Sequence, residues 1–156
     1  MTRRDRRGFS LIELLTALLI VATLVRISIP QVNRVLLRAR AAAIIGDMNV
    51  IRAAATGYMG DYHVWPPDAG GGAIPSGMEQ YLPDGFSFDK GEYQLDWENW
   101  ILPGGLPKHP DTKVLLGVSV VTEDEYLAAA LLGLLGDNWS RYTLGNNYTF
   151  IIEGIS

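Results

Sequence analysis

The chain has 156 residues, 48% of them hydrophobic, enough for one ordinary domain with a modest core plus an extension. It contains no cysteine, so neither a disulfide nor a cysteine-ligated metal can contribute, and packing alone must hold the folded part together. The formal charge of -4 is uneven: four arginines and one aspartate crowd the opening MTRRDRR and the remainder is acidic, a balance that argues against non-specific nucleic-acid binding.

After this basic leader, Phe9 to Val25 reads FSLIELLTALLIVATLV, about 25 Å long if helical and close to the thickness of a bilayer's hydrocarbon layer. The arginines before it predict a cytoplasmic N-terminus with everything after Arg26 on the far side, and Arg26 can snorkel to that interface. A secretory signal peptide shares this composition, but no small-x-small cleavage pattern follows the apolar run before Pro30. A plain membrane anchor is the second reading. Glu13 fits neither, because a charged acid inside an apolar helix costs about 2.5–3.5 kcal/mol on insertion scales, and such residues usually have a partner or a purpose.

RRGFSLIELLTALLIVATLVRISIP resembles the N-terminus of type IV pilins and type II secretion pseudopilins, the class III prepilin signal: basic leader, Gly8-Phe9 junction, spaced Glu13 and later Pro30 coincide. The resemblance implies that a membrane aspartic prepilin peptidase cuts between Gly8 and Phe9, that Phe9 becomes the N-methylated first residue, and that Glu13 holds the family's acidic position. In a staggered helical assembly the Glu13 carboxylate of one subunit can meet the Phe9 amine of its neighbour. A paired buried charge is tolerable where an isolated one is expensive, so Glu13 favours assembly and helps set its register.

Beyond the apolar run Pro30 predicts a kink or loosening near residues 26 to 30, after which the helix can resume. Leu37, Ala41, Ile44, Met48, Ile51, Ala55, Tyr58 and Tyr62 alternate in spacing between four and three and draw one apolar stripe, with Arg34, Arg38, Asn49, Arg52 and Thr56 largely elsewhere. A single helix from Phe9 to Asp61 would reach about 80 Å. The stripe is long enough to entertain a coiled-coil seam, but its mixture of Ala and Tyr with Ile and Met suits packing against a head domain better.

HVWPPDAGGGAIPSGMEQYLP, from His63 to Pro83, holds too many prolines and glycines for a long regular element. It reads as a well-packed or functional loop with a helical turn around Gly77 to Tyr81 and with Trp65 and Tyr81 as anchors. EYQLDWENWI alternates, placing Tyr93, Leu95, Trp97 and Ile101 on one face and Glu92, Gln94, Asp96 and Glu98 on a solvated one. KVLLGVSVVT predicts a more central strand and YTFIIEGI a third, antiparallel one. Between them TEDEYLAAALLGLLGD predicts a short helix with a Thr122/Glu125 capping box, a stop at Gly136, and a buried face of Tyr126, Leu127, Ala130, Leu131, Leu134 and Leu135. The expected fold is α+β: a long N-terminal helix packed on a small antiparallel sheet with one inserted helix. Its segments are a leader at 1–8, a transmembrane and assembly helix at 9–30, an amphipathic continuation at 31–62 and a head at 63–156.

Catalytic and cofactor chemistry is not legible. Glu123, Asp124 and Glu125 are explained by capping and the helix dipole, His63 and His109 have no ligand spacing, PDAGGG lacks the Lys-Ser/Thr of a phosphate loop, and there is no GxSxG elbow. Asp137, Asn138, Asn146 and Asn147 are oxygen donors in suitable loops, and some major pseudopilins bind calcium in such a place, but no EF-hand spacing organises them. Asn138-Trp-Ser and Asn147-Tyr-Thr fit the glycosylation acceptor pattern, against which a bacterial-type signal argues. Contact of Glu92, Asp96 and Glu98 with a basic patch on the next subunit is the functional alternative to a solvated surface. The reading is a non-enzymatic filament subunit with no cofactor and no metal. By resemblance its partners are copies of itself or related pseudopilins, a prepilin peptidase, a membrane platform protein and an assembly ATPase, and nucleic acid is not expected. Its place would be the inner membrane, with a periplasmic head, before assembly. The rival is a single-pass anchored module that binds a ligand through the long loop, Trp65 and the aromatics Trp97, Trp100 and Trp139. Exposed aromatics would favour that rival and buried ones a scaffold.

Overall fold

The computed structural model describes residues 9–101, 114–136 and 141–155. The chain divides into two compact units, Met1–Leu37 and Arg38–Ser156. Helix α1 covers Leu11–Tyr62, within two residues of the expected span, and remains helical through Pro30, whose ring removes the N–H that would bond the Arg26 carbonyl. The Ser10 carbonyl accepts the first bonds, from the amides of Glu13 at 3.0 Å and Leu14 at 3.1 Å. The helix ends where His63 turns left-handed at φ 57° while its amide still reaches the Met59 carbonyl at 2.9 Å.

In the first unit the side chains of α1 are exposed almost all round. In the second, α1 becomes amphipathic. Ala41, Ile44, Met48, Ile51, Ala54 and Ala55 are buried on the predicted stripe, whereas Leu37 and Tyr58 at its ends are half-buried and Tyr62 is exposed. Against this stripe lie the inner face of a sheet, a second helix, and Met78 and Phe88 from the long loop. Asp47 on α1 adds polar ties, accepting from the Tyr93 hydroxyl at 2.7 Å and facing the Lys90 ammonium at 3.2 Å. Burial and the Asp47 hydroxyl bond both push the Tyr93 phenol upward.

The sheet has four antiparallel strands in the order β1-β2-β4-β3, with β1 at Gln94–Ile101, β2 at Val114–Val121, β3 at Arg141–Leu144 and β4 at Asn147–Ile155. The β-branched run of β2 is indeed central and buried on both faces. The sequence reading missed β3, although the Gly145-Asn146 pair that joins it to β4 is a recognised two-residue hairpin signal and Gly145 has φ 61°.

The loop after α1 contains the expected turn, a 3-10 helix at Glu79–Tyr81. It also covers the open edge of β1. The Leu95 carbonyl accepts from the Gly72 amide at 2.8 Å, Asp68 accepts from the Asn99 amide at 3.1 Å, and the Pro66 carbonyl receives Trp97 Nε1 at 3.1 Å and Asn99 Nδ2 at 2.8 Å. An exposed edge is a template for unwanted pairing, and this loop removes it.

Helix α2, Glu125–Leu135, stops as expected at Gly136, but its start and its buried face need correction. Asp124, not Thr122, is the N-cap, its carboxylate accepting from the amides of Tyr126 at 2.9 Å and Leu127 at 3.1 Å. Thr122 acts one step earlier by accepting from the Asp124 amide at 3.2 Å. Leu127, Ala128, Leu131 and Leu135 are buried, whereas Tyr126 and Leu134 face water. The apolar composition of α2 on all sides left the face undetermined by pattern.

Gly117 sits at the register shift between β2 and β4, where an added Cβ would lie 2.9 Å from the Phe150 carbonyl oxygen and 3.0 Å from Thr149 Cγ2. Backbone cannot yield as a flexible side chain can, so Gly117→Ala is expected to destabilise the head by about 1–3 kcal/mol in denaturant unfolding. Gly133→Ala, on α2 with open space around it, is expected to stabilise it by about 0.5–1 kcal/mol.

Candidate functional site

Two places carry chemistry beyond packing. The first is the start of α1. Gly8 lies outside the described residues. Phe9 is 81% exposed, and Glu13 is in the first turn of α1, the favourable end of the helix dipole for an anion. The helix contains a stretch long and apolar enough to cross a membrane, with mean hydropathy 2.2 and none of it buried within the protein. Three hydroxyls in and just beyond this stretch are satisfied by their own helix: Thr16 donates to the Ile12 carbonyl at 2.7 Å, Thr23 to Ile20 at 2.7 Å and Ser28 to Leu24 at 2.9 Å. Glu13 is different. It is the one charged side chain between Phe9 and Val25, and among the described residues none bonds its carboxylate. Val21, Leu24, Val25, Ser28, Ile29 and Val32 line a shallow apolar groove beside Pro30, the shape that receives a side chain from another helix.

The second place is the face of the sheet turned away from α1, and here the expected solvated acidic face is overturned. Glu92 lies outside β1 and is exposed, Gln94 is exposed, Asp96 is half-buried, and Glu98 is only 3% exposed. Ile101, assigned inward, is 78% exposed at the strand end. The Ser119 hydroxyl donates to Glu98, and the Thr149 hydroxyl, 2.7 Å from Ser119 Oγ, must then donate to Ser119. A hydroxyl chain thus leads across three strands to one carboxylate. Burial raises the Glu98 carboxyl above its ordinary range, with Asp68 adding to this and bonds from Ser119, Asn147 and Trp100 opposing it. Asp96, two residues away on the same face, is pushed up to about 7 by burial first and then by the charges of Glu98 and Asp68. Its Oδ1 and that of Asn147 are buried without a hydrogen-bond partner. Alternation alone could not reveal this, because a strand buried on both faces and a strand wet on one can share the same polar period.

Other expected sites resolve as follows. Glu123 accepts from Asn146 Nδ2 at 2.6 Å, tying the α2 approach to the β3–β4 turn, and Asp124 caps. Asp137, Asn138, Trp139 and His109 lie outside the described residues. Among the described residues no group of three or more metal-binding side chains is gathered. Trp97 is fully buried, Trp65 and Trp100 are half-buried, and Trp65 packs 6.1 Å from Trp97. Trp97 and Trp65 therefore belong to the scaffold rather than to an exposed recognition face.

Residues 3–25 match the prokaryotic N-terminal methylation motif, the class III prepilin signal of type IV pilins and pseudopilins. That match marks a pilin- or pseudopilin-like precursor, and the long apolar helix fits a membrane-anchored, single-pass chain. No curated protein and no solved structure matches it.

Because the folded Asp96 carboxyl holds its proton up to about pH 7 and the unfolded one releases it near 3.8, folding takes up a proton between those values. The stability this group contributes is then fully present below about pH 4 and is lost as pH rises toward 7, by roughly 2 kcal/mol once the full shift is halved for a carboxyl that is only half-buried. Melting curves of the detergent-solubilised chain from pH 4 to 8 should show this slope. Asp96→Asn should flatten most of it while raising the melting temperature at pH 8.

Proposed function

We propose that the protein is a structural subunit, a pilin or pseudopilin, that is processed at the inner membrane and polymerises into a type IV pilus or a type II secretion pseudopilus. Residues 1–8 are the leader. Prepilin peptidase cuts between Gly8 and Phe9, and Phe9 is methylated. Residues 9–30 store the subunit in the membrane with its N-terminus cytoplasmic, residues 31–62 continue α1, and residues 63–156 form the periplasmic head. A platform protein and an assembly ATPase drive extraction, and the chain itself performs no catalysis.

The observation that carries this reading is the lone Glu13 carboxylate in an otherwise self-satisfied apolar helix, four residues after the junction where cleavage creates an amine. Pairing Glu13 with the Phe9 amine of a neighbour removes the cost of an unpaired charge in an apolar medium, and the bond exists only after cleavage and only between copies. The register it sets is four residues, about 6 Å of helix.

Mass spectrometry of the protein recovered from cells should find Phe9 at the mature N-terminus carrying a methyl group, and a retained leader would refute the reading. Glu13→Gln should leave membrane insertion intact and reduce fibre yield at least roughly tenfold, because a bond to a charged group is lost from a buried pair. Thr16→Val, which removes a hydroxyl satisfied within its own helix, should leave fibre yield unchanged.

A further inference from the structure

Resting on that polymerisation reading, we propose that the C-terminal end of α1 and the adjoining 3-10 helix form a docking surface for Arg34 and Arg38 of a second copy of this chain. Charge is segregated along the sequence. Between Glu13 and Asp47 the charged residues are all arginines, namely Arg26, Arg34, Arg38 and Arg40, and between Arg52 and Lys90 they are all acids. Arg40 is taken by Glu92 at 3.7 Å. Arg34 and Arg38, one helical turn apart and exposed, have no carboxylate within ion-pair distance among the described residues.

The receiving surface is built to suit a guanidinium. The last turn of α1 has no basic residue, so its carbonyl end and Asp61 form a negative pole that no cation within ion-pair distance offsets among the described residues. The Tyr81 hydroxyl donates to Asp61 Oδ2 at 2.6 Å and fixes that carboxylate in place. Tyr58 lies 4.6 Å from Tyr62 and 6.0 Å from Tyr81 between ring centroids, and Tyr62 is 52% exposed, with Gln80 Nε2 holding its hydroxyl at 3.3 Å. Glu79, exposed on the 3-10 helix, adds a second carboxylate. An ordered carboxylate beside an exposed tyrosine ring is the pairing that arginine uses for charge-assisted bonding together with stacking, and that a strongly hydrated lysine uses less well. The anionic surroundings also hold the Tyr81 phenol up at about 12, chiefly through its bond to Asp61.

In the parallel, staggered arrangement of the polymerisation reading, the arginine row of one copy meets the receptor of the next, so the contact is heterologous and repeats along the polymer. About 34 Å of helix separates Arg38 from Asp61. That offset differs from the stagger of about 6 Å that pairs Phe9 with Glu13, so the two contacts join a subunit to different neighbours.

The absence of cysteine makes the test clean. In cells that assemble the fibre, one copy carrying Arg38→Cys is expressed with another carrying Glu79→Cys, and a disulfide-linked mixed dimer is expected only when both are present. Arg38→Glu and Glu79→Arg should each lower fibre yield roughly fivefold, and combining them in one chain should restore it, since directly interacting charges couple. Fibres that form normally without the 38–79 link, or a charge swap that fails to rescue, would overturn the docking surface and leave the polymerisation reading standing. Absence of fibres from the unaltered chain would overturn both. If Arg38→Glu leaves fibre yield unchanged but removes a preference of the reconstituted chain for phosphatidylglycerol over phosphatidylcholine, the arginines read lipid headgroups and the proposal is likewise wrong.

Discussion

The strip of α1 formed by Ala41, Ile44, Met48, Ile51 and Ala55 is the surface on which the head is assembled. These side chains are almost fully buried, and the inner residues of the sheet, the buried face of α2, and Met78 and Phe88 from the long loop all close on them. Each large apolar side chain so buried contributes about 1.5–3 kcal/mol against the entropy of ordering the chain. In a cysteine-free domain no cross-link supplements that sum. Asp47 adds direction by engaging Tyr93 and Lys90 at the edge of the strip, so the helix is fixed against the segment that leads into β1 as well as by an apolar fit.

The other face of the sheet is held by a different principle. Thr149, Ser119 and Glu98 stand on three strands and pass hydrogen bonds from one to the next, out of contact with water. Slipping any of these strands by one residue would turn its polar member into the apolar core, so the chain penalises wrong registers even where its net contribution to stability is small. Gly117 belongs to the same arrangement, since it lets β4 approach closely at the register shift. Asp96 is the weak point, crowded by Glu98 and Asp68 and left with one oxygen unbonded.

The N-terminal unit obeys the rules of a different solvent. Thr16, Thr23 and Ser28 bond back to carbonyls of their own helix, its apolar side chains face outward, and between Phe9 and Val25 Glu13 is the one charged side chain, with no partner among the described residues. Together with the methylation motif this fits a segment that lies in lipid.

Much of this was legible in the residues alone. Uninterrupted apolar composition, the period of the stripe and the Gly/Pro punctuation after Tyr62 determined α1, the loop, the central β2 and the end of α2, because local backbone preference and periodicity act over a few neighbouring residues. The N-terminal methylation motif was equally legible, and Glu13 stands out because a charge in an apolar run is conspicuous without any fold. What only the tertiary structure decided was which sides are buried. Glu98 is enclosed although it alternates like a surface residue, Tyr126 and Leu134 are exposed although they are apolar, and Asp124 rather than Thr122 caps α2. Burial depends on what another element places over a face, and that is set by contacts between residues far apart in sequence, which no local pattern encodes.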